Sequence, residues 1–202
     1  MEQLNYFLFL AINASGQASD TAVVAARFAA QWLVFLPPAV IAGLWIWGAP
    51  PGRGALIATS IGLLVGLGIN QIIGELWSHP RPFMVGIGRT LVEHAPETSF
   101  PSDHATFVWS LSLGLIATRY WRIWGWSFVM AGLLVAWARI YLGLHFPFDM
   151  AGSFVVSLVA AGIARGLQPG VDRRLLPVVE ALYEFLLRRL HLPATIFPRP
   201  FV

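Results

Sequence analysis

Long apolar runs separated by short polar connectors make up most of this chain. Five runs are long enough to cross a bilayer, because a spanning helix needs roughly 17–25 mainly apolar residues. They are predicted at 23–48, 55–77, 104–119, 123–143 and 147–167. The third is the shortest. The pattern therefore predicts an all-α integral membrane helix bundle with about five transmembrane helices.

Prolines and glycines mark where these helices break. Pro37 and Pro38 interrupt the first run and predict a kink, because proline removes a backbone donor and clashes with the preceding turn. Most connectors are short, but the polar segment 78–103 is long. Long loops of this kind often carry function.

The two ends of the chain differ from the central runs. The apolar stretch 4–14 has no positive residues before it, so it lacks the n-region of a secretory signal peptide. Residues 1–22 are therefore predicted to form an interfacial arm. Residues 23–168 form the predicted transmembrane domain. Residues 169–202 are predicted as a cytoplasmic amphipathic helix, over 172–191, followed by a proline-rich tail.

Composition supports a membrane protein. The 202 residues are 57% hydrophobic and only 11% charged, and the mean hydropathy is +0.68, well outside the range of soluble domains. The chain has no cysteine, which excludes disulfides and thiolate metal sites.

The positive charges predict how the helices are oriented. The net charge is +3 and is carried by arginine, since the chain contains no lysine. The arginines are scattered and form no basic patch for nucleic acid. They concentrate on one side of the bundle, which identifies the cytoplasmic side: Arg53, Arg119, Arg122, Arg165, Arg173, Arg174, Arg188, Arg189 and Arg199. The loop 78–103 then faces outward.

Three outward segments bring ionisable residues to the ends of the predicted helices. They are 79–82, 100–104 and the junction from Arg139 to Asp149. Because successive spans run in opposite directions, we expect these segments to meet at one membrane depth. Charged residues at such positions are costly and therefore suggest function.

The residue types in these segments suit phosphate chemistry. Arg81 and Arg139 offer planar, permanently charged forks for phosphoryl oxygens. Ser102 and Asp103 lie where a helix N-terminus would expose backbone N–H groups to an anion. Each could instead be an ordinary interfacial or helix-capping residue, and only their combination favours a phosphate site.

Two histidines complete the predicted site. His104 and His145 could divide the work, one attacking phosphorus and the other protonating the departing oxygen. Asp149, four residues after His145, can orient that ring and stabilise its positive charge.

The spacing of these residues resembles a known family. The pattern Arg139-x5-His145-x3-Asp149, preceded by Arg81-Pro82 and by the segment 101–104, resembles the type 2 phosphatidic acid phosphatase superfamily. Within it, the stretch 79–149 is similar to bacterial undecaprenyl pyrophosphate phosphatases of the bacitracin-resistance type.

The resemblance implies a role for each residue. His145 is the expected nucleophile, Asp149 its orienting partner and His104 the general acid. The expected substrate-binding residues are Arg81, Ser102, Asp103 and Arg139. No metal or other cofactor is implied.

Three positions depart from the superfamily pattern. Gly74 stands where the superfamily has a lysine, Asp103 where it usually has glycine, and Ala138 where a serine usually precedes the arginine. These changes weaken the expected phosphate contacts and leave both histidines in place.

The expected function is hydrolysis of undecaprenyl pyrophosphate to undecaprenyl phosphate and inorganic phosphate through a phosphohistidine, which supports recycling of the cell-wall lipid carrier. The expected location is the bacterial inner (plasma) membrane, with the site facing the periplasm or exterior. Expected partners are the polyprenyl pyrophosphate lipid and membrane lipids, without nucleic acid. The oligomeric state stays open, with a homodimer as one option.

Other interpretations remain. The substrate could be phosphatidylglycerol phosphate or phosphatidic acid, or the phosphate could pass to an acceptor other than water. A lipid transporter could use the same charges, although the chain shows no internal repeat. A metal site formed by His79 and His94 with Glu93 or Glu97 is a less favoured alternative.

Overall fold

The computed structural model describes residues 1–193, 196 and 197, and every regular element in that part is helical. The helices are α1 (Glu2–Ile12), α2 (Asp20–Gln31), α3 (Leu36–Trp47), α4 (Arg53–Leu76), α5 (Asp103–Ala117), α6 (Arg122–Tyr141), α7 (Pro147–Gly170) and α8 (Leu176–Arg189). The predicted all-α class is confirmed.

Four helical stretches are long and apolar enough to cross a membrane: Asp20–Trp47, Pro50–Leu76, Arg122–Tyr141 and Pro147–Arg189. The protein is therefore a multi-pass membrane protein. The third predicted span is the shorter helix α5, whose 15 residues extend only about 22 Å at 1.5 Å per residue. It packs against α4, α6 and α7, so it lies at the centre of the bundle. The long loop before it covers its N-terminal end, which is the end that the sequence predicts to be outer.

The predicted break in the first span lies just before the two prolines. A 3₁₀ turn at Leu33–Phe35 separates α2 from α3, and Pro37 falls in the first turn of α3. Proline is tolerated there because the first N–H groups of a helix have no intrahelical partner.

Small residues allow α4 and α7 to approach closely. A Cβ atom at Gly62 would lie 2.6 Å from the carbonyl oxygen of Ala160, and one at Gly66 would lie 3.2 Å from the Ala160 Cβ. Glycine and alanine at such positions let two membrane helices pack backbone to backbone. This packing fixes where the outer end of α4 lies relative to the start of α7.

The C-terminal helix continues from α7 without a loop. A π-helical turn at Val171–Leu175 joins α7 to α8, which differs from the separate helix predicted over 172–191. Glu180 of α8 is buried and lies 3.2 Å from Arg53 at the start of α4, so α8 packs against the end of the bundle where α4 begins. In the predicted tail, residues 194, 195 and 198–202 lie outside the described part.

Helix α1 packs onto the outer end of the bundle. Phe9 is fully buried against Ala105, Phe146 and their neighbours. The side chain of Asn13 donates to the carbonyl oxygens of Arg89 at 2.9 Å and Tyr141 at 3.0 Å. Helix α1 thus helps to hold the loop 78–102 against the ends of α6 and α7.

Candidate active site

One polar cavity of about 580 Å³ opens at the outer end of the bundle. Its wall includes Arg81, His104, Arg139 and His145, together with Asp103. Loop 78–102, the start of α5 and the end of α6 supply most of the lining. The structure therefore brings both predicted histidines and both predicted arginines to a single cavity.

Two hydrogen-bond acceptors contact the Nδ1 atom of the His145 imidazole. Its Nδ1 atom lies 2.9 Å from the carbonyl oxygen of Ser99 and 3.3 Å from Oδ2 of Asp149. A carbonyl can only accept, so Nδ1 carries the proton. The lone pair of the neutral ring is then on Nε2.

The other ring nitrogen faces two guanidinium groups. Nε2 of His145 lies 3.0 Å from Nη1 of Arg81 and 3.4 Å from Nη2 of Arg139. Both arginines are buried, and Nε of Arg139 has no hydrogen-bond partner among the described residues. A phosphoryl group could therefore meet the unprotonated ring nitrogen and two positive charges at one point.

Burial keeps this ring neutral. Burial, together with the positive charges of Arg139 and Arg81, lowers the pKa of His145 to about 4, although the hydrogen bond to Asp149 opposes this shift. At neutral pH the Nε2 lone pair is consequently available for attack on phosphorus.

Asp149 lies in the first turn of α7, where three groups point at one carboxylate oxygen. Its Oδ2 atom accepts the Phe146 backbone N–H at 2.8 Å and the hydroxyl of Ser99, besides the His145 contact. Pro147 begins the helix, which places Asp149 in the first turn and close to His145. The predicted orienting contact is present, and Ser99 is an addition that the sequence did not indicate.

Comparison with known proteins shows the family of this chain. The profile of the PAP2 superfamily matches residues 54–171, which is more than half of the chain. The protein belongs to the PAP2 superfamily.

Two curated relatives match most of the length of this chain. It is 32% identical over 184 residues to the candidate undecaprenyl-diphosphatase YbjG of Escherichia coli (strain K12), covering 91% of this chain and 92% of that protein. It is 29% identical over 191 residues to undecaprenyl-diphosphatase BcrC of Bacillus subtilis (strain 168), covering 93% and 95%.

A solved structure shares the PAP2 fold. The crystal structure of Aquifex aeolicus LpxE matches with a TM-score of 0.63 and 18% identity, covering 80% of this chain and 94% of LpxE. This likeness concerns the fold alone.

Asp103, which replaces the usual PAP2 glycine, is held against α4. Its carboxylate accepts the Asn70 amide at 2.8 Å and the Gln71 amide at 3.2 Å. Asn70 also donates to Thr106 at 2.9 Å. These amides satisfy the carboxylate on the α4 side, so its repulsion of a bound phosphate is reduced.

Ser102 contributes differently from the sequence prediction. Its backbone N–H donates to the Ser153 hydroxyl at 2.8 Å, so this particular N–H is not free for an anion. The Ser102 hydroxyl is buried and has no partner among the described residues. Since α5 begins at Asp103, the next N–H groups along the chain are the ones without intrahelical acceptors.

Two further loop histidines occupy separate places. His94 lines the same cavity as His104 and His145, with Nε2 3.2 Å from Nη2 of Arg139, and burial lowers the pKa of His94. His79 lines a different cavity, beside Glu2 and Trp77. The structure does not bring His79 and His94 together, and no cluster of three potential metal ligands occurs in the part of the chain it describes.

Gly74, at the position of the missing PAP2 lysine, also lines the cavity. A Cβ atom there would lie 2.9 Å from the Thr98 methyl group, so a larger residue would press on the loop.

The sequence did not single out Ser99, Ser153, Asn70 or Gln71. The one available signal was the polar pair of Asn70 and Gln71 in an otherwise apolar helix.

Proposed function

We propose that this protein hydrolyses undecaprenyl pyrophosphate to undecaprenyl phosphate and inorganic phosphate. One observation carries the proposal: Nδ1 of His145 is held by Ser99 and Asp149, while Nε2 faces the guanidinium groups of Arg81 and Arg139. This is the arrangement that a histidine nucleophile for phosphoryl transfer requires. The names of the two curated relatives support undecaprenyl pyrophosphate as the substrate.

In the first step, Nε2 of His145 attacks the terminal phosphorus in line with the bridging oxygen. A P–N bond forms as the bond between phosphorus and the bridging oxygen breaks. Binding of the negatively charged pyrophosphate favours the protonated form of His104, which gives its proton to that oxygen, and undecaprenyl phosphate leaves. Arg81 and Arg139 neutralise the charge on the phosphoryl oxygens during transfer, and Asp149 stabilises the positive phosphohistidine.

In the second step, neutral His104 takes a proton from water, and the resulting oxygen nucleophile attacks the phosphorus. The P–N bond breaks, inorganic phosphate is released and the lone pair returns to Nε2. Both histidines end in their starting protonation states. The cycle consumes one water and needs no metal or redox partner.

We further propose that the site faces the periplasm or cell exterior. The arginines of the connectors concentrate at the opposite end of the bundle, which is typical of the cytoplasmic side. On the outer face of the plasma membrane the enzyme would regenerate the monophosphate form of the cell-wall lipid carrier.

The test is phosphate release from undecaprenyl pyrophosphate by purified protein in detergent with EDTA present. Wild type and His191→Ala are expected to release phosphate, whereas His145→Ala should be inactive although still membrane-inserted. Phosphatidic acid and phosphatidylglycerol phosphate are assayed in parallel. Turnover by His145→Ala, or a higher kcat/KM for either other lipid, would overturn the proposal.

A further inference from the structure

One face of α4 carries a continuous stripe of residues. Ile57, Ser60, Leu64, Leu67 and Gln71 follow one another at intervals of three and four, so they lie on the same side of the helix. The stripe is about 21 Å long at 1.5 Å per residue. Its inner three residues line an apolar cavity of about 660 Å³, and its outer two line a smaller one of about 250 Å³.

These two cavities and the catalytic cavity lie next to one another, since neighbouring cavities share lining residues. The smaller one shares Gln71, Asp103 and His104 with the catalytic cavity. It shares Phe107 with the larger apolar cavity. The adjoining cavities therefore follow one another from His104 to Ile57, and this series of cavities is called the groove.

The groove offers hydrocarbon surface along its length. Helix α3 forms the opposite wall with Ile41 and Trp45, and Leu111 of α5 lies between. Ser60 is the polar member of the inner α4 stripe, and its hydroxyl donates to the carbonyl oxygen of Leu56 at 3.0 Å. It therefore presents no free donor to a ligand.

Aromatic rings close the inner end. The rings of Trp45 and Tyr183 meet edge to face with centroids 5.8 Å apart. The Arg53 guanidinium lies 5.2 Å from the first ring and 5.5 Å from the second, and it is paired with Glu180. Helix α8 thus supplies one side of this closure.

We propose that this groove binds the isoprenoid tail of the substrate, with the Trp45–Tyr183 pair as its inner limit. The inference rests on the proposed function. The groove begins at His104, which protonates the leaving group, and the leaving group is the part of the substrate that carries the tail. An apolar groove that starts at this atom and continues through the membrane suits a long hydrocarbon chain.

Tryptophan substitutions at two depths test the proposal. Ser60→Trp fills the inner half of the groove and Leu67→Trp the outer half, while Val155→Trp adds the same bulk to an exposed position of α7. Phosphate release is measured with undecaprenyl pyrophosphate and with geranyl pyrophosphate, whose tail has two isoprene units.

Ser60→Trp is expected to raise KM for the long substrate about tenfold, or roughly 1.4 kcal/mol, and to leave KM for geranyl pyrophosphate unchanged. Leu67→Trp should raise KM for both, and Val155→Trp for neither. The groove proposal would be overturned if Ser60→Trp raised KM equally for both substrates. It would also be overturned if Val155→Trp raised KM for the long substrate as much as Ser60→Trp does.

A second measurement does not depend on hydrolysis or on any variant. Wild-type protein is irradiated with a polyprenyl phosphate that carries a photoreactive group at mid-tail, and the labelled residues are mapped by mass spectrometry. Labelling on the α4 stripe and α5 supports the groove. Labelling confined to the exposed faces of α6 and α7 would contradict it, whereas inactivity of the wild type on both pyrophosphates would refute the proposed function instead.

Discussion

Nδ1 of His145 donates to the backbone carbonyl of Ser99 at 2.9 Å, and the Ser99 hydroxyl donates to Asp149. One loop residue therefore holds both members of the pair at the junction of α6 and α7. The carbonyl selects the ring tautomer, and the hydroxyl fixes the carboxylate that accompanies it. Loop 78–102 is thus part of the site as well as its cover.

Ser99→Ala should lower kcat about 10- to 100-fold, the range expected when a hydrogen bond to a charged group is lost. KM should change little, because the backbone carbonyl and both arginines remain. Steady-state phosphate release measures both constants. Ser127→Ala removes an exposed hydroxyl bonded to Ile123 and is the matched control. A rise in KM at constant kcat would instead indicate that Ser99 acts in substrate binding.

Asp149→Asn should lower kcat by about 10²- to 10⁴-fold, because the carboxylate that stabilises the positive ring is replaced by a neutral amide. The helix start should survive, since asparagine can still accept the Phe146 N–H. Rapid-quench detection of the phosphohistidine should show slower formation. Normal formation followed by slow breakdown would assign Asp149 to the second step only.

The imidazole of His145 should be neutral at pH 6. Its pKa is lowered from 6.5 to about 4, so the nucleophilic form persists until the pH approaches 4. Since the unfolded chain binds more protons in this window, the contribution of His145 to stability is lost as pH falls from 6.5 toward 4. Nitrogen NMR of histidine-labelled protein, assigned with His145→Ala, reports the ring state. An imidazolium signal at pH 6 would contradict the expectation.

Asn70→Leu should raise KM about tenfold, because Asp103 loses its nearest amide donor and its carboxylate then repels the substrate phosphates. The double variant Asn70→Leu/Asp103→Gly should recover most of the affinity, since it also removes the charge. Phosphate release is measured for the wild type, the two single variants and the double variant, which together form a double-mutant cycle. Additive losses in the double variant would show that the two residues act independently.

Glu180→Ala should destabilise the protein by about 3–5 kcal/mol, because it leaves Arg53 buried without its partner. Replacing both residues, as in Arg53→Met/Glu180→Leu, should restore most of that loss. Unfolding in mixed detergent micelles measures the difference. Glu184→Ala breaks the exposed pair with Arg188 and should change stability by less than about 1 kcal/mol. Equal effects of Glu180→Ala and Glu184→Ala would contradict the burial argument.

The hydrophobic pattern alone determined the all-α class and four of the spans, because a bilayer requires long apolar helices with internally satisfied backbones. It left open whether the short third run crosses the bilayer fully, and α5 is a helix of 15 residues packed among α4, α6 and α7. It also predicted a separate amphipathic helix over 172–191, because the charged residues of that stretch disfavour a membrane span. The π-helical turn at Val171–Leu175 carries the helix through instead.

The sequence by itself also determined which residue types could perform phosphoryl transfer and, through alternating helix directions, that Arg81, His104, Arg139 and His145 would share one end of the bundle. Only the tertiary structure decided which atoms meet. The Ser99–Asp149, Asn70–Asp103 and Arg53–Glu180 contacts join residues 50, 33 and 127 positions apart. Such pairs leave no periodic signal in a single sequence, because packing of whole helices and loops, to within a fraction of a hydrogen-bond length, brings them together.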